Sequence, residues 1–171
     1  MKRNAYRLGE CDGELSPVAF GKEDFMIQIR LAVESDFQRI YELNRDSLGY
    51  EYPIEKTRER LKYILTRNTD RIWVACVDDL VVGYIHGADY ECTYSDPLKN
   101  IMAIAVDERY RRNGIGRRLL ENLEDWAMES GCIGVRLVSG YNREQAHQFY
   151  SRCGYVFRKN QKNFIKLFKE E

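Results

Sequence analysis

Ten consecutive residues, Arg109-Tyr110-Arg111-Arg112-Asn113-Gly114-Ile115-Gly116-Arg117-Arg118, put five guanidinium groups around two closely spaced glycines. An apolar run, Ile101 to Val106, precedes them, and a helical pattern begins at Gly116. A helix start leaves backbone N–H groups unpaired and carries roughly half a positive charge, so an anion there collects several hydrogen bonds at once. Gly114 and Gly116 let the backbone come close to such an anion. Arginine can grip phosphate oxygens through two parallel bonds, so a pyrophosphate suits this loop. The same residues also fit a plainer reading, a tight strand-to-helix turn with a solvated basic face. Two familiar phosphate motifs are excluded. Leu119 follows where the dinucleotide fingerprint wants a third glycine, and no Gly-Lys-Ser/Thr step occurs. The loop also follows a middle strand rather than the first, which argues against NAD binding.

The elements around this loop can be read from hydrophobic period. Met26 precedes the alternating strand Ile27-Gln28-Ile29-Arg30-Leu31, and a start at Met26 is one expectation. Ser35 with Gln38 three residues on reads as a capping box for a helix with Phe37, Ile40, Tyr41 and Leu48 on its apolar face. A second helix follows Pro53, with Ile54, Leu61, Ile64 and Leu65 inward. Strands from Arg71 to Val77 and from Leu80 form a hairpin through Asp78-Asp79. After the turn Ser95-Asp96-Pro97, the continuous run Ile101 to Val106 predicts a strand buried on both faces. Leu119, Leu120, Leu123, Trp126 and Ala127 share one face of the helix that Gly131 ends. A strand over Val135 to Val138 comes next, then a helix with Ala146, Phe149, Tyr150 and Cys153 on one face, closed by Gly154. Two short strands are expected to complete the chain to Phe168. The order predicts an α/β (α+β) sandwich around one sheet.

Composition bounds the rest. The 171 residues suit one domain able to bury its own core. Residues 1–25 lack a sustained period and read as an N-terminal extension, leaving 26–171 as the domain. Lysine plus arginine total 27 and aspartate plus glutamate 27, so no overall field draws the protein to nucleic acid or to an anionic membrane. The five cysteines form no Cys-x-x-Cys pair, which predicts reduced thiols and no metal. The basic start lacks a secretory apolar core, and a cytoplasmic location is expected.

The element Arg111-Arg112-Asn113-Gly114-Ile115-Gly116 after an apolar strand resembles the hallmark of the GNAT superfamily of N-acetyltransferases, Arg/Gln-x-x-Gly-x-Gly/Ala. Ala146-His147-Gln148-Phe149-Tyr150 and Cys153-Gly154-Tyr155 are similar to that family's fourth helix and to its step into the sixth strand. The resemblance spans roughly Met26 to Phe168. It implies a central mixed, largely antiparallel sheet of about seven strands, four flanking helices, and a fourth strand that splays from the fifth. It also implies acetyl-coenzyme A as co-substrate, with the pantetheine arm on the main chain of Ile104, Ala105 and Val106. The pyrophosphate would lie over Arg111, Arg112, Asn113, Gly114, Ile115, Gly116 and Arg117. The family often places an asparagine three residues before the helix alanine. Here Asn142 stands four before Ala146, and it is carried over as a cofactor contact with that offset.

By residue pattern alone, Tyr150 lies on an apolar helix face beside Phe149 and fits core packing; the resemblance makes it the general acid for the departing thiolate. The attacking amine must be neutral. A lysine-like amine with a pKa near 10.4 is held back by about 4.6 kcal/mol at pH 7, so an acidic group or ordered water should drain its proton. Asp89, Glu91 and His86 are the ionisable groups nearest the end of the third strand, and none is distinguished by spacing. Tyr84, Tyr90, Tyr94, Asp89, Glu91 and Asp96 could form an aromatic, acidic mouth for a cationic amine. Two other function classes stay open: a catalytically silent coenzyme A-binding sensor or docking module, and a nucleic-acid module resting on the arginines and on Arg158 to Asn163. Neutral charge and the lack of a recognisable nucleic-acid motif oppose the second. Exposed strand edges make a homodimer an expectation.

Overall fold

The computed structural model describes residues 26–168; the extension expected over 1–25 lies outside the described residues. Five strands form one sheet in the order β1 (Gln28–Leu31), β2 (Asp70–Val77), β3 (Leu80–Tyr90), β4 (Leu98–Val106), β5 (Val135–Leu137). The first four are antiparallel, and β4 and β5 are parallel. Asp78 and Asp79 take φ of 47° and 63°, the left-handed geometry of a two-residue hairpin whose twist matches its strands, and Val77 stands opposite Leu80. From Ile72 to Val77 every residue of β2 is buried, because helices cover both faces.

On one face lie α1 (Phe37–Leu43) and α2 (Ile54–Leu65), whose Ile40, Leu43 and Leu61 pack with Ile72, Val74, Tyr84 and Ala105 of the sheet. On the other lies α3 (Ile115–Glu129), seating Ile115, Leu119, Leu120, Leu123 and Trp126 against Trp73, Ala75, Ile85 and Ile101. Each of these aliphatic side chains contributes about 1.5–3 kcal/mol by leaving water. The fourth helix, α4 (Glu144–Arg152), brings Phe149 and Cys153 against the margin of the same cluster.

Several local expectations shift. The cap of the first helix is not Ser35 with Gln38. A 3₁₀ turn already begins at Glu34, and the Asp36 carboxylate accepts the Val33 N–H at 2.8 Å and both guanidinium nitrogens of Arg30 at 2.8 Å. A charged acceptor already paired with arginine outcompetes the neutral Ser35 hydroxyl for that role, while Gln38 turns outward to Glu42. Beyond Leu43 the helix widens into a π turn, Asn44–Leu48. Strand β4 begins three residues earlier than the apolar run, because Leu98, Lys99 and Asn100 pair with β3. Five strands form among the described residues rather than about seven. Residues 156–168 are exposed and form no strand among the described residues.

Candidate active site

Strand β5 pairs with β4 only at Lys99–Val135, Asn100–Arg136 and Ile101–Leu137, after which the two strands part. The wedge between them is therefore lined by the second half of β4. The main chain there divides by parity. The Asp107 N–H donates to the Val82 carbonyl at 2.8 Å, so Asp107 and Val82 are a hydrogen-bonded pair, and two residues on Ala105 and Tyr84 are another. Ala105 thus spends its main-chain groups on β3. Ile104 and Val106 aim theirs into the wedge. Of the three positions expected to hold the pantetheine arm, Ile104 turns both main-chain groups to the wedge, Val106 offers its N–H while its carbonyl accepts from Ser47 and Arg111, and Ala105 offers none. A bulge sits just upstream, where His86 pairs with Ala103 and Gly87 with Ile101, leaving Met102 without a partner on β3.

At the open end of the wedge, Asp107 caps a short 3₁₀ turn, Glu108–Tyr110, by accepting the Arg109 N–H at 3.1 Å. Its carboxylate also takes the Arg109 side chain at 3.1 and 2.8 Å and the Arg39 Nη2 at 3.2 Å. The Arg109 guanidinium holds the Asp107 carboxyl down to about 2, against the opposing effect of burial. Arg109 is therefore a brace for the loop rather than a free cation. Arg111 turns back, its Nε donating to the Val106 carbonyl at 3.1 Å; Arg117 pairs with Glu121 at 3.1 Å, and Arg118 donates to the Ile27 carbonyl at 3.2 Å. Of the loop's five arginines, Arg112 alone has a side chain with no ion-pair or hydrogen-bond partner among the described residues, and its φ is 66°. Asn113 Nδ2 donates to the Tyr110 carbonyl at 3.3 Å.

Among the described residues, the loop expected to offer five arginines thus offers main-chain donors more than free guanidinium groups. Gly114 caps α3 at φ 79°, with no side-chain cap and no acidic residue in the first turn. Arg118 is the first to bond back, to the Gly114 carbonyl at 3.1 Å, so the N–H groups of Ile115, Gly116 and Arg117 lie outside the ladder. An L side chain at Gly114 would be strained by its φ alone, whereas at Gly116 a Cβ would stand 3.1 Å from the Phe149 ring. Gly116 therefore seats α4 against the start of α3.

On α4, Phe149 packs on the cluster margin that also holds Ile104, Val106 and Tyr155. Tyr150 is half-buried between the Phe149 ring at 5.4 Å and the Tyr155 ring at 5.8 Å, and its hydroxyl has no hydrogen-bond partner among the described residues. Burial pushes its phenol above the usual value, with Arg143 pulling the other way. Tyr155 differs, because its hydroxyl donates to Glu124 at 2.8 Å. Asn142 lies exposed on the turn before α4, and its side chain has no hydrogen-bond partner among the described residues.

Of the six residues expected to form an aromatic, acidic mouth, Tyr84, Asp89 and Tyr90 are engaged with other groups. Tyr84 is buried and bonded to Asn44, Asp89 pairs with the buried Lys99, and Tyr90 lies under the Arg136 guanidinium at 4.2 Å. His86 Nε2 sits 2.9 Å from Asp70, and burial lowers its pKa against the pull of that carboxylate. Sequence reading missed Arg39 and Ser47. Ser47 Oγ donates to the Val106 carbonyl at 3.2 Å, and both line a cleft of about 280 Å³ with Glu42, Asp46, Asp107 and Arg109. No sequence signal announces the π turn that aims Ser47 at the sheet. Among the described residues, no group of three His, Cys, Asp or Glu side chains could hold a metal ion, and no helix is long and apolar enough to cross a membrane.

Comparison with known proteins adds four findings. The family model described as Acetyltransferase (GNAT) family matches residues 37–155. A protein named "Probable N-acetyltransferase 14" from Xenopus tropicalis is 29% identical over 144 residues, which cover 76% of this chain and 68% of the relative. An N-alpha-acetyltransferase from Sulfolobus acidocaldarius is 34% identical over 110 residues, 59% of this chain and 62% of the relative. Among solved structures, an aminoglycoside N-acetyltransferase in complex with CoA superposes with a TM-score of 0.75 over 86% of this chain and 99% of its own, at 14% identity, a likeness of fold.

Proposed function

Because the chain belongs to the acetyltransferase (GNAT) family, we propose that it transfers an acetyl group from acetyl-coenzyme A to a primary amine of a small molecule or peptide, by direct attack of the amine on the thioester. The observation that carries this reading is the pairing of two open main-chain surfaces: the wedge edge of β4 at Ile104 and the Val106 N–H, and the uncapped start of α3 at Ile115, Gly116 and Arg117. Their chemistry fits an amide-bearing arm at one end and a diphosphate at the other. Acetyl-coenzyme A supplies the activated acyl carbon. Arg112 adds charge at the diphosphate end, and the loop is held for it by Asp107, Arg109 and Arg39.

Catalysis by this chain then rests on three acts. The Ile104 and Val106 N–H groups orient the arm, and a donor of this kind also stabilises charge that develops on the thioester oxygen. As the C–N bond forms and the C–S bond breaks, the Tyr150 hydroxyl gives its proton to the sulfur. Its burial suits it to that role, since a phenol kept above its normal pKa stays protonated until needed. The excess proton on nitrogen leaves with the solvent. Names among the comparisons point to amines as acceptors, an aminoglycoside in one and an N-alpha position in another.

The test is a thiol-release assay over amine classes with acetyl-coenzyme A as donor, paired with titration calorimetry of coenzyme A. Saturable coenzyme A binding and thiol release with at least one amine are expected. Absence of binding by folded protein would refute the proposal, and binding without transfer to any amine would favour a silent sensor.

A further inference from the structure

Arg136 is half-buried on β5 and has no carboxylate partner among the described residues. Arg30 and Arg39 are also half-buried, and each faces one: Arg30 pairs with Asp36 at 2.8 Å and Arg39 with Asp107 at 3.2 Å. Taking a guanidinium out of water without a countercharge is costly, which makes an unpaired one a place for an anion. Two neutral neighbours hold Arg136. Its Nη1 donates to the Asn100 Oδ1 at 2.8 Å, and its guanidinium lies 4.2 Å from the centre of the Tyr90 ring. Stacking sets the plane of the fork and the hydrogen bond sets its direction, while its other donors have no hydrogen-bond partner among the described residues.

The cluster faces away from α3. Lys99 lies over the Trp126 ring of α3 at 3.7 Å and pairs there with Asp89, so the next residue along each strand, Asn100 and Tyr90, points to the opposite face. On that face α1 lies over β3 and α2 over β2, and Tyr90, Asn100 and Arg136 stand half-buried at the strand ends. The pair Asn100–Arg136 is next to Ile101–Leu137, the last before β4 and β5 part. It therefore marks the closed end of the wedge. An arm anchored at the start of α3 and laid along Val106 and Ile104 points its acyl end this way, toward the bulge at Met102. At about 3.3 Å per residue, Asn100 stands roughly 13 Å from Ile104 and roughly 7 Å from Met102 along the strand. That interval holds a small molecule, its amine toward the thioester and its far end on Arg136.

We propose that Arg136 is a specificity-determining residue that takes a carboxylate, so that the amine acetylated here belongs to an amino acid or a short peptide with a free carboxylate. This rests on the acyl-transfer reading and narrows its acceptor. The two oxygens of a carboxylate match the arginine fork, and its single charge balances a single guanidinium. A phosphate dianion would find too little charge, since Lys99 is spent on Asp89 across the sheet. A polyamine or an aminoglycoside would set cation against cation. The carboxylate makes and breaks no bond; it positions the amine.

The experiment offers the standard amino acids, each also as its C-terminal amide, with phosphoethanolamine and spermidine, and reads thiol release alongside calorimetric binding of the same compounds. At least one amino acid should be turned over with kcat/KM tenfold or more above its amide. Arg136→Gln should cost that acid about 10- to 100-fold, chiefly in KM, the range of a hydrogen bond to a charged group. Its amide and the Kd for coenzyme A should change less than threefold. Asn100→Ala, which frees the fork without removing it, should give the same ranking at smaller size and stands in if Arg136→Gln misfolds by circular dichroism. Binding that prefers acid to amide and depends on Arg136, with no thiol release, keeps the carboxylate site and removes the transfer reading. Thiol release with acids and amides used equally, a preference for phosphoethanolamine or spermidine, or no binding of any acid overturns the inference.

Discussion

Tyr150 and Asp107 illustrate how neighbours decide what a side chain does. The Tyr150 hydroxyl lacks a partner among the described residues while its ring is packed, and burial keeps its proton in place. Tyr150→Phe keeps that packing and removes the proton donor. It should lower kcat about 100-fold with little change in KM for acetyl-coenzyme A, a loss in the range of general acid catalysis; steady-state thiol release measures both. Asp107 is the opposite case, a carboxylate engaged on every side. Its folded pKa is depressed to about 2 from 3.8. A depressed acid stabilises the fold above its unfolded pKa and loses that contribution as pH falls through the folded value. Asp107→Asn should therefore weaken the protein at pH 7, and its deficit against wild type should shrink between pH 4 and pH 2. Urea melts at four pH values across that range would show it.

At the scale of elements, the start of α3 depends on backbone geometry more than on charge. Gly114 at φ 79° sets the direction in which the next three N–H groups point. An alanine there would have to adopt a left-handed conformation at a cost of about 1–2 kcal/mol. Gly114→Ala should lower Tm by about 2–8 °C and weaken coenzyme A binding several-fold by calorimetry. Arg109→Gln should also weaken binding, through a loosened loop, although Arg109 is not free to meet a phosphate. A site built on guanidinium charge would instead be hit hardest at Arg117, whose side chain here belongs to Glu121. Comparing Arg109→Gln with Arg117→Gln by calorimetry separates the two designs: the first should lose more affinity.

For the whole molecule, one sheet with helices on both faces brings β4, the start of α3 and α4 to the same end. A ligand that binds this arrangement and not the unfolded chain stabilises it by about 2.7 kcal/mol at one hundred times its Kd. Coenzyme A at that excess should raise Tm by about 5–11 °C, read by calorimetric scanning. Much of the architecture was legible in residue order. The period of Leu119, Leu120, Leu123 and Trp126 located α3 to within a residue, and Asp78-Asp79 located the hairpin, because local sterics and one-sided burial act over a few residues. The loop from Arg111 to Gly116 was equally visible as a strand-to-helix turn with room for an anion. What each arginine faces was not, since Glu121, Asp107 and the Val106 carbonyl reach these side chains only after the chain has folded. Nor could residue order show that Ala105 turns inward while its two neighbours line the wedge, or that a π turn aims Ser47 at the Val106 carbonyl. Sequence by itself determined the elements and the glycine turn, because those follow from interactions within a few residues. Tertiary structure alone decided which main-chain groups and charges remain open, because that depends on pairings between residues as far apart as Arg39 and Asp107.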